Sequence, residues 1–217
     1  MSARTQVSPD SMGLVSQSPF LGPAASEALF AQLVQFRAAH PFGRPVTSRA
    51  GPTPWEQILV YFGAHNAGAT YMYAGAVVHG QPAPDFLSEL HRQVEAVAGV
   101  ALGHALINAY SPGNADGTGE DWIGYHRDDI EAADGTDIHS YTVGGERFFR
   151  VRTDCPVLDS AYRWCKMRIC SDTYMRIPHD VNATCFHGVP RSLPDELAEL
   201  GDARNRVRFN ITFRQRL

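Results

Sequence analysis

Lysine is nearly absent from the sequence: Lys166 is the only one in 217 residues. A lysine-rich nuclear-targeting cluster is therefore excluded. Long apolar runs are missing too, and nothing approaches the roughly 20 residues that cross a bilayer, so no membrane segment is expected. Met1 to Phe20 lacks the basic start and apolar stretch of a secretory signal, so the protein is expected to live inside a cell, or be made in one, with nucleus and cytoplasm not distinguished. The four cysteines, Cys155, Cys165, Cys170 and Cys185, form no C-x-x-C pair. That spacing argues against a zinc ribbon or a thioredoxin-like motif and for free thiols. A formal charge of -4 argues against a protein that coats nucleic acid nonspecifically, and leaves local contact open. No internal repeat is visible, and nothing points to an obligate protein partner.

What is present fits one globular domain with a loose front end. Hydrophobic residues make up 44% and charged ones 19%, as in an ordinary soluble protein. Residues 1–25 mix Ser, Pro, Gly and Ala without periodicity and are expected to be disordered. Ser26 is a possible cap for a helix over 27–39, because Leu29, Phe30, Leu33, Val34 and Phe36 share one face. Pro41, Gly43, Pro45, Gly51, Pro52 and Pro54 then read as a loop. Residues 26–54 are thus a helix and loop ahead of the main domain, 55–217.

Within that domain "ILVYF" and "TYMYAGAVV" read as strands, and an amphipathic helix follows Pro84 and Asp85 and stops at Gly99. After it the chain turns strand-like: "HALINAY", "IGYHRDD", "IHSYTVGG", "RFFRVR", "YMRI", "ATCFHGV" and "RVRFNITFR" are separated by Gly, Pro, Asp and Asn. "LPDELAELG" is expected to form a helical turn, and the segment 153–172 a hairpin or loop excursion. Many short strands with few helices predict a mainly β fold, a sandwich or jelly roll with helices covering one sheet.

The last of these strands has an unusual face. Strand alternation puts Val207, Phe209, Ile211 and Phe213 on one side and Arg206, Arg208, Asn210, Thr212 and Arg214 on the other. That second side is either a solvated polar face or a cavity wall that grips an anion, since a guanidinium fork matches a carboxylate or phosphate. In "YHRDD", His126 and Asp128 would project from one strand face. An imidazole beside a carboxylate is either a surface pair or two ligands of the facial triad that holds non-haem Fe(II). His187 in "CFHGVPR" is available as the third ligand. His40, His65, His79, His91, His104, His139 and His179 are expected on the surface or in the core.

H-x-D, a histidine about sixty residues on, and R-x-N-x-T-F-R some twenty residues later form an ordered set. With "INAYSPG", "IHSYTVGGERFF" and "ATYMYAGAVV", it resembles the AlkB family of Fe(II)- and 2-oxoglutarate-dependent dioxygenases, in particular the branch that repairs alkylated DNA. The likeness runs from about residue 55 to the end. It implies a double-stranded β-helix (jelly roll) that oxidises N-alkyl groups on nucleobases in DNA or RNA and releases formaldehyde, succinate and CO2. The implied cofactors are Fe(II), 2-oxoglutarate and O2, and the implied partner is alkylated DNA or RNA.

Carried over by position, the resemblance implies His126, Asp128 and His187 as iron ligands. It implies Arg208 and Arg214 on the carboxylates of 2-oxoglutarate, with Asn108, Tyr110 and Asn210 adding hydrogen bonds. Six residues of strand cover about 20 Å, longer than a five-carbon diacid, so Arg208 is expected to be the principal clamp and Arg206 to sit at the rim. Tyr71, Tyr73 and His126 would wall a flipped base, and Asp129 would accept from its exocyclic amine. The repair branch usually carries another acid where this chain has Ile130, which leaves the preferred base open. Arg147, Arg150, Arg152, Arg163, Lys166, Arg168 and Arg176 are either phosphate contacts around the mouth or solvated strand edges. The competing readings are the same chemistry on a protein, lipid or free nucleotide, and a catalytically silent binding module.

Overall fold

The computed structural model describes residues 4–47, 51–73, 76–153 and 162–215. In chain order the strands begin with β1 (Arg4–Gln6), β2 (Val15–Gln17), β3 (Val46–Thr47), β4 (Gly51–Pro52) and β5 (Glu56–Tyr61). Then come β6 (Thr70–Tyr73), β7 (Ala76–His79), β8 (Gln81–Pro82), β9 (Leu102–Tyr110), β10 (Ile123–His126) and β11 (Ile138–Gly144). The last are β12 (Arg147–Thr153), β13 (Tyr162–Ile169), β14 (Thr173–Ile177), β15 (Cys185–Val189) and β16 (Arg208–Gln215). The α-helices are α1 (Pro23–Ala39), α2 (Ser88–Ala98), α3 (Asp129–Asp134), α4 (His179–Thr184) and α5 (Pro194–Leu200).

The strands form a larger sheet, β2-β14-β11-β16-β9-β5-β8, and a smaller one, β1-β13-β12-β15-β10. Hairpins β3-β4 and β6-β7 stand apart. The two sheets enclose a cavity lined by residues of both, and the architecture is the expected mainly β jelly roll with flanking helices. Both faces of β16 are covered, which decides the question of its arginines. Phe209, Ile211 and Phe213 are fully buried in one core with Leu29, Leu33 and Phe36 of α1 and Leu90 and Val94 of α2. Each such side chain contributes about 1.5–3 kcal/mol of transfer free energy. Arg208, Asn210, Thr212 and Arg214 face the cavity between the sheets. A second core, with Phe149, Val151, Cys165 and Ile169 of the smaller sheet and Ile138, Met175 and Ile177 of the larger, closes the sandwich beside the cavity.

The front of the chain departs from expectation. Residues 4–25 are not structureless: β1 pairs parallel with β13, and β2 pairs antiparallel with β14. These are three-residue edge strands, too short to show a period, and their backbone hydrogen bonds come from the sheets they extend. The first helix begins at Pro23, not residue 27, with Gly22 at φ 90° before it. Pro at the first helical position has its φ preset and no N–H to satisfy. Asp172 anchors this start by accepting the N–H groups of Leu21 and Gly22, each at 2.8 Å. Ser26 is not the cap; it is buried and its Oγ accepts the Tyr141 hydroxyl at 3.2 Å. In the 153–172 excursion, β12 and β13 pair antiparallel; the stretch 154–161, Cys155 included, lies outside the described residues.

Candidate metal centre and its cavity

The strand expected over "YHRDD" ends at His126, which pairs with His187 across an irregular stretch of the β10-β15 ladder. Asp128 therefore does not share a strand face with His126. It takes φ -88° and ψ 90° ahead of α3, and this turn carries its carboxylate back beside the imidazole. Asp128 Oδ1 lies 3.5 Å from His126 Nε2, and Oδ2 lies 4.0 Å from His187 Nε2. One donor atom from each of the three side chains falls within 4.8 Å of the others. Among the described residues no other group of three His, Cys, Asp or Glu converges in this way.

The protonation states suit a divalent cation. His126 Nδ1 sits 2.8 Å from the Gly124 carbonyl, which places the proton there and turns the Nε2 lone pair towards Asp128. Burial, together with the charge of a protonated His126, pushes His187 down to about 3, so its ring is neutral. Burial alone would raise the Asp128 carboxyl. The Arg214 guanidinium, with the charge that the two imidazoles carry when protonated, outweighs it and holds the group well below the usual carboxylate range. Two neutral imidazoles and a carboxylate are the donor set of the Fe(II) facial triad.

The cavity beside this group is lined by Asn108, Tyr110, Arg208, Asn210 and Arg214, all expected at the site. The two arginines differ. Arg214 is engaged, its Nη2 donating to Asp128 Oδ2 at 2.7 Å. Arg208 donates to Thr142 Oγ1 at 3.0 Å through Nη2 and, among the described residues, pairs with no carboxylate; in both arginines Nε and Nη1 are buried without a hydrogen-bond partner. The Arg208 guanidinium lies over the Tyr110 ring at 5.1 Å. A buried guanidinium with open N–H groups is a fit for a carboxylate. Asn210 Nδ2 donates to Ser140 Oγ at 2.6 Å, and Asn108 leaves Oδ1 unpartnered.

Of the residues expected to hold a base, Tyr71 is buried and lines the cavity. Tyr73 ends β6, and its side chain lies outside the described part of the structure. Asp129 is a correction: as the first residue of α3 it is exposed and does not line the cavity, because the turn that brings Asp128 inward carries its neighbour outward. Arg206 pairs with Glu27 at 2.8 Å and covers the Phe30 ring. The cations suggested as phosphate contacts are largely internal partners: Arg147 with Glu120, Arg150 and Lys166 with Glu196, Arg168 with Glu146, Arg176 with Asp137. Arg152 stacks on Tyr125 at 4.3 Å, and Arg163 donates to the Ser11 carbonyl.

A profile of the 2OG-Fe(II) oxygenase superfamily matches residues 13–214. The chain belongs to that superfamily. This oxygenase is a dioxygenase that uses Fe(II), 2-oxoglutarate and O2, and the donor set and the buried Arg208, which no carboxylate among the described residues pairs, fit the first two. Among solved structures it is similar to one described as OsALKBH1, with a TM-score of 0.59 at 19% identity over 94% of this chain and 98% of that one. It is also similar to a prolyl hydroxylase from Trichoplax adhaerens, solved with a hypoxia inducible factor oxygen degradation domain peptide fragment. There the TM-score is 0.56 at 11% identity, over 94% of this chain and 84% of that one. At these identities both establish the fold. A search of curated proteins finds no match.

Three residues of the oxygenase site were not singled out in the sequence. Gln57 lies opposite Asn108 in the β5-β9 ladder and lines the cavity with Oε1 unpartnered. The alternation Trp55, Gln57, Leu59 was a signal that could have found it. Asn182 and Glu131, which brace Asp128 and Arg214, come from short helices that no periodicity announces.

Proposed function

We propose that the oxygenase is an oxidative demethylase of nucleobases in DNA or RNA. His126, Asp128 and His187 would hold Fe(II), and Arg208, with Asn108, Tyr110 and Asn210, would bind 2-oxoglutarate. When bound, these cofactors with O2 supply the oxidation: one oxygen atom goes to succinate as CO2 leaves, the other into a substrate C–H bond. An N-methyl group so hydroxylated departs as formaldehyde. The chain's own contribution is positioning and the exclusion of water around a base taken out of its stack.

The observation that carries the nucleobase reading is Tyr71, a buried ring on the cavity wall in the segment that resembles the repair branch of the AlkB family. The similarity to OsALKBH1 along nearly all of both chains supports it. A second reading, hydroxylation of a peptide, is favoured by the similarity to the prolyl hydroxylase solved with a peptide fragment, and by the internal pairing of most cations near the site. Fe(II)-loaded protein is given 2-oxoglutarate, O2 and oligonucleotides carrying N1-methyladenine, N3-methylcytosine or N6-methyladenine, with unmethylated controls. Formaldehyde in step with succinate on one methylated strand is the expected result. Succinate equal on all strands, without formaldehyde, removes the nucleobase reading and turns the search to peptides. Iron that binds without any succinate production leaves only a silent module.

A further inference from the structure

Asp128 and Glu131 occupy the N-cap and third positions of α3. Acids there ordinarily turn back onto the free amides of the helix. Asp128 makes no such cap. Its Oδ2 instead receives Nη2 of Arg214 at 2.7 Å, while Nη1 of the same guanidinium lies 3.1 Å from Glu131 Oε1. The fork is thus held between a metal-ligand candidate and a second carboxylate, with the Tyr71 ring 5.7 Å from its centre. Glu131 is 3% exposed and Arg214 4% exposed, so solvent screens neither.

Glu131 draws the guanidinium away from sole possession of Asp128, which would otherwise compete with a cation for Oδ2. The cosubstrate has an arginine of its own: Nε and Nη1 are without a hydrogen bond in both guanidiniums, but Arg214 lies against the Asp128 and Glu131 carboxylates, whereas Arg208 pairs with no acid among the described residues.

We propose that Glu131 is a positioning residue that sets Asp128 through Arg214, so that Arg214 braces the metal ligand and Arg208 alone clamps 2-oxoglutarate. The proposal rests on the triad reading above and departs from the resemblance, which would put both arginines on the cosubstrate.

The test uses Co(II), a redox-inert probe of the same site, titrated by its visible absorption. Wild-type protein should bind one equivalent, and His187→Ala should lose it; retention in His187→Ala overturns the triad reading itself. Given that control, Glu131→Gln should weaken Co(II) binding by about tenfold or more, the usual scale for partners of metal ligands. It should leave 2-oxoglutarate affinity of the Co(II)-saturated protein unchanged. In an Arg214→Gln background the same substitution should have no further effect, because the route through Arg214 is already cut. An undiminished effect in that background, or a loss of 2-oxoglutarate binding with Co(II) affinity intact, overturns the proposal. Should Glu131→Gln not fold, Arg214→Lys keeps the charge and loses the fork. It should weaken Co(II) binding and spare 2-oxoglutarate, and the reverse pattern overturns the proposal equally.

Discussion

Asn182 holds the peptide of Asp128 from both sides: its Oδ1 accepts the Asp128 N–H at 3.1 Å, and its Nδ2 donates to the Asp128 carbonyl at 2.8 Å. Asn182 is fully buried in α4, so neither bond is exchanged for water in the folded protein. The backbone that carries the carboxylate ligand is thereby fixed to a second helix, 54 residues away in sequence. Replacing Asn182 by Ala leaves the Asp128 N–H unsatisfied, at roughly 1–3 kcal/mol, while its carbonyl keeps the Ala132 N–H at 3.0 Å. Urea unfolding of metal-free Asn182→Ala should show a loss of about 1 kcal/mol or more. A loss under about 0.5 kcal/mol, the range of ordinary surface changes, would show that the clasp does not hold α3 to α4.

Arg208 should dominate cosubstrate affinity. A charge-assisted pair between a buried guanidinium and a carboxylate contributes about 1.5–3 kcal/mol, or roughly 10- to 150-fold in affinity. Arg208→Met should raise the KM for 2-oxoglutarate by that factor. It should have little effect with 2-oxovalerate, which lacks the distal carboxylate. An equal rise with both 2-oxo acids would mean that Arg208 supports the cavity wall without touching the anion.

The molecule should also lose stability on mild acidification through His104. This side chain is 5% exposed, lies opposite Arg214 in the β9-β16 ladder, and has an unpartnered Nε2. Burial, aided by the Arg214 charge, pushes its pKa down to about 4 from 6.5. The unfolded chain therefore takes up the proton first. Stability from the neutral ring is complete above the unfolded value and is lost as pH falls towards the folded one. Between about pH 6.5 and 5 the loss is on the order of 2 kcal/mol for this group. His187 has the same sign, with its folded value lower still. Unfolding free energies of metal-free protein at pH 7 and pH 5 give the slope, and His104→Leu should flatten it. A wild-type slope unchanged in His104→Leu would assign the effect elsewhere.

Much of this architecture could be read from the chain because it is periodic. The alternation in "RVRFNITFR" separates Phe209, Ile211 and Phe213 from the arginines, and both faces are where that period puts them. Gly99 ends α2 in a left-handed turn as its sequence suggests. What escaped the sequence depends on contacts between distant segments. Three-residue β1 and β2 exist because β13 and β14 offer open edges. Asp128 reaches His126 by a turn, and the same turn exposes Asp129, a difference that strand periodicity cannot express. Glu131 looks like an ordinary surface acid until Arg214, 83 residues later by their numbers, is seen between it and Asp128.

Gly188 sets the spacing of the two imidazoles. It lies between His187 and Val189 on β15, where a Cβ would come 2.7 Å from the Gly124 carbonyl oxygen and 2.9 Å from its carbon. These are backbone atoms, so no side-chain rotation relieves the contact, and β10 or β15 must move. The same Gly124 oxygen receives Nδ1–H of His126 and so aims Nε2 at the metal position. Gly188→Ala should therefore turn His126 and weaken metal binding by roughly 10- to 100-fold, as for other losses of a ligand's hydrogen-bond partner. The fold should survive, since the displacement is confined to one edge of the smaller sheet. Co(II) titration beside thermal melting of the metal-free protein separates the two effects. Wild-type affinity in a well-folded Gly188→Ala would show that the ladder can widen there without disturbing the ligands.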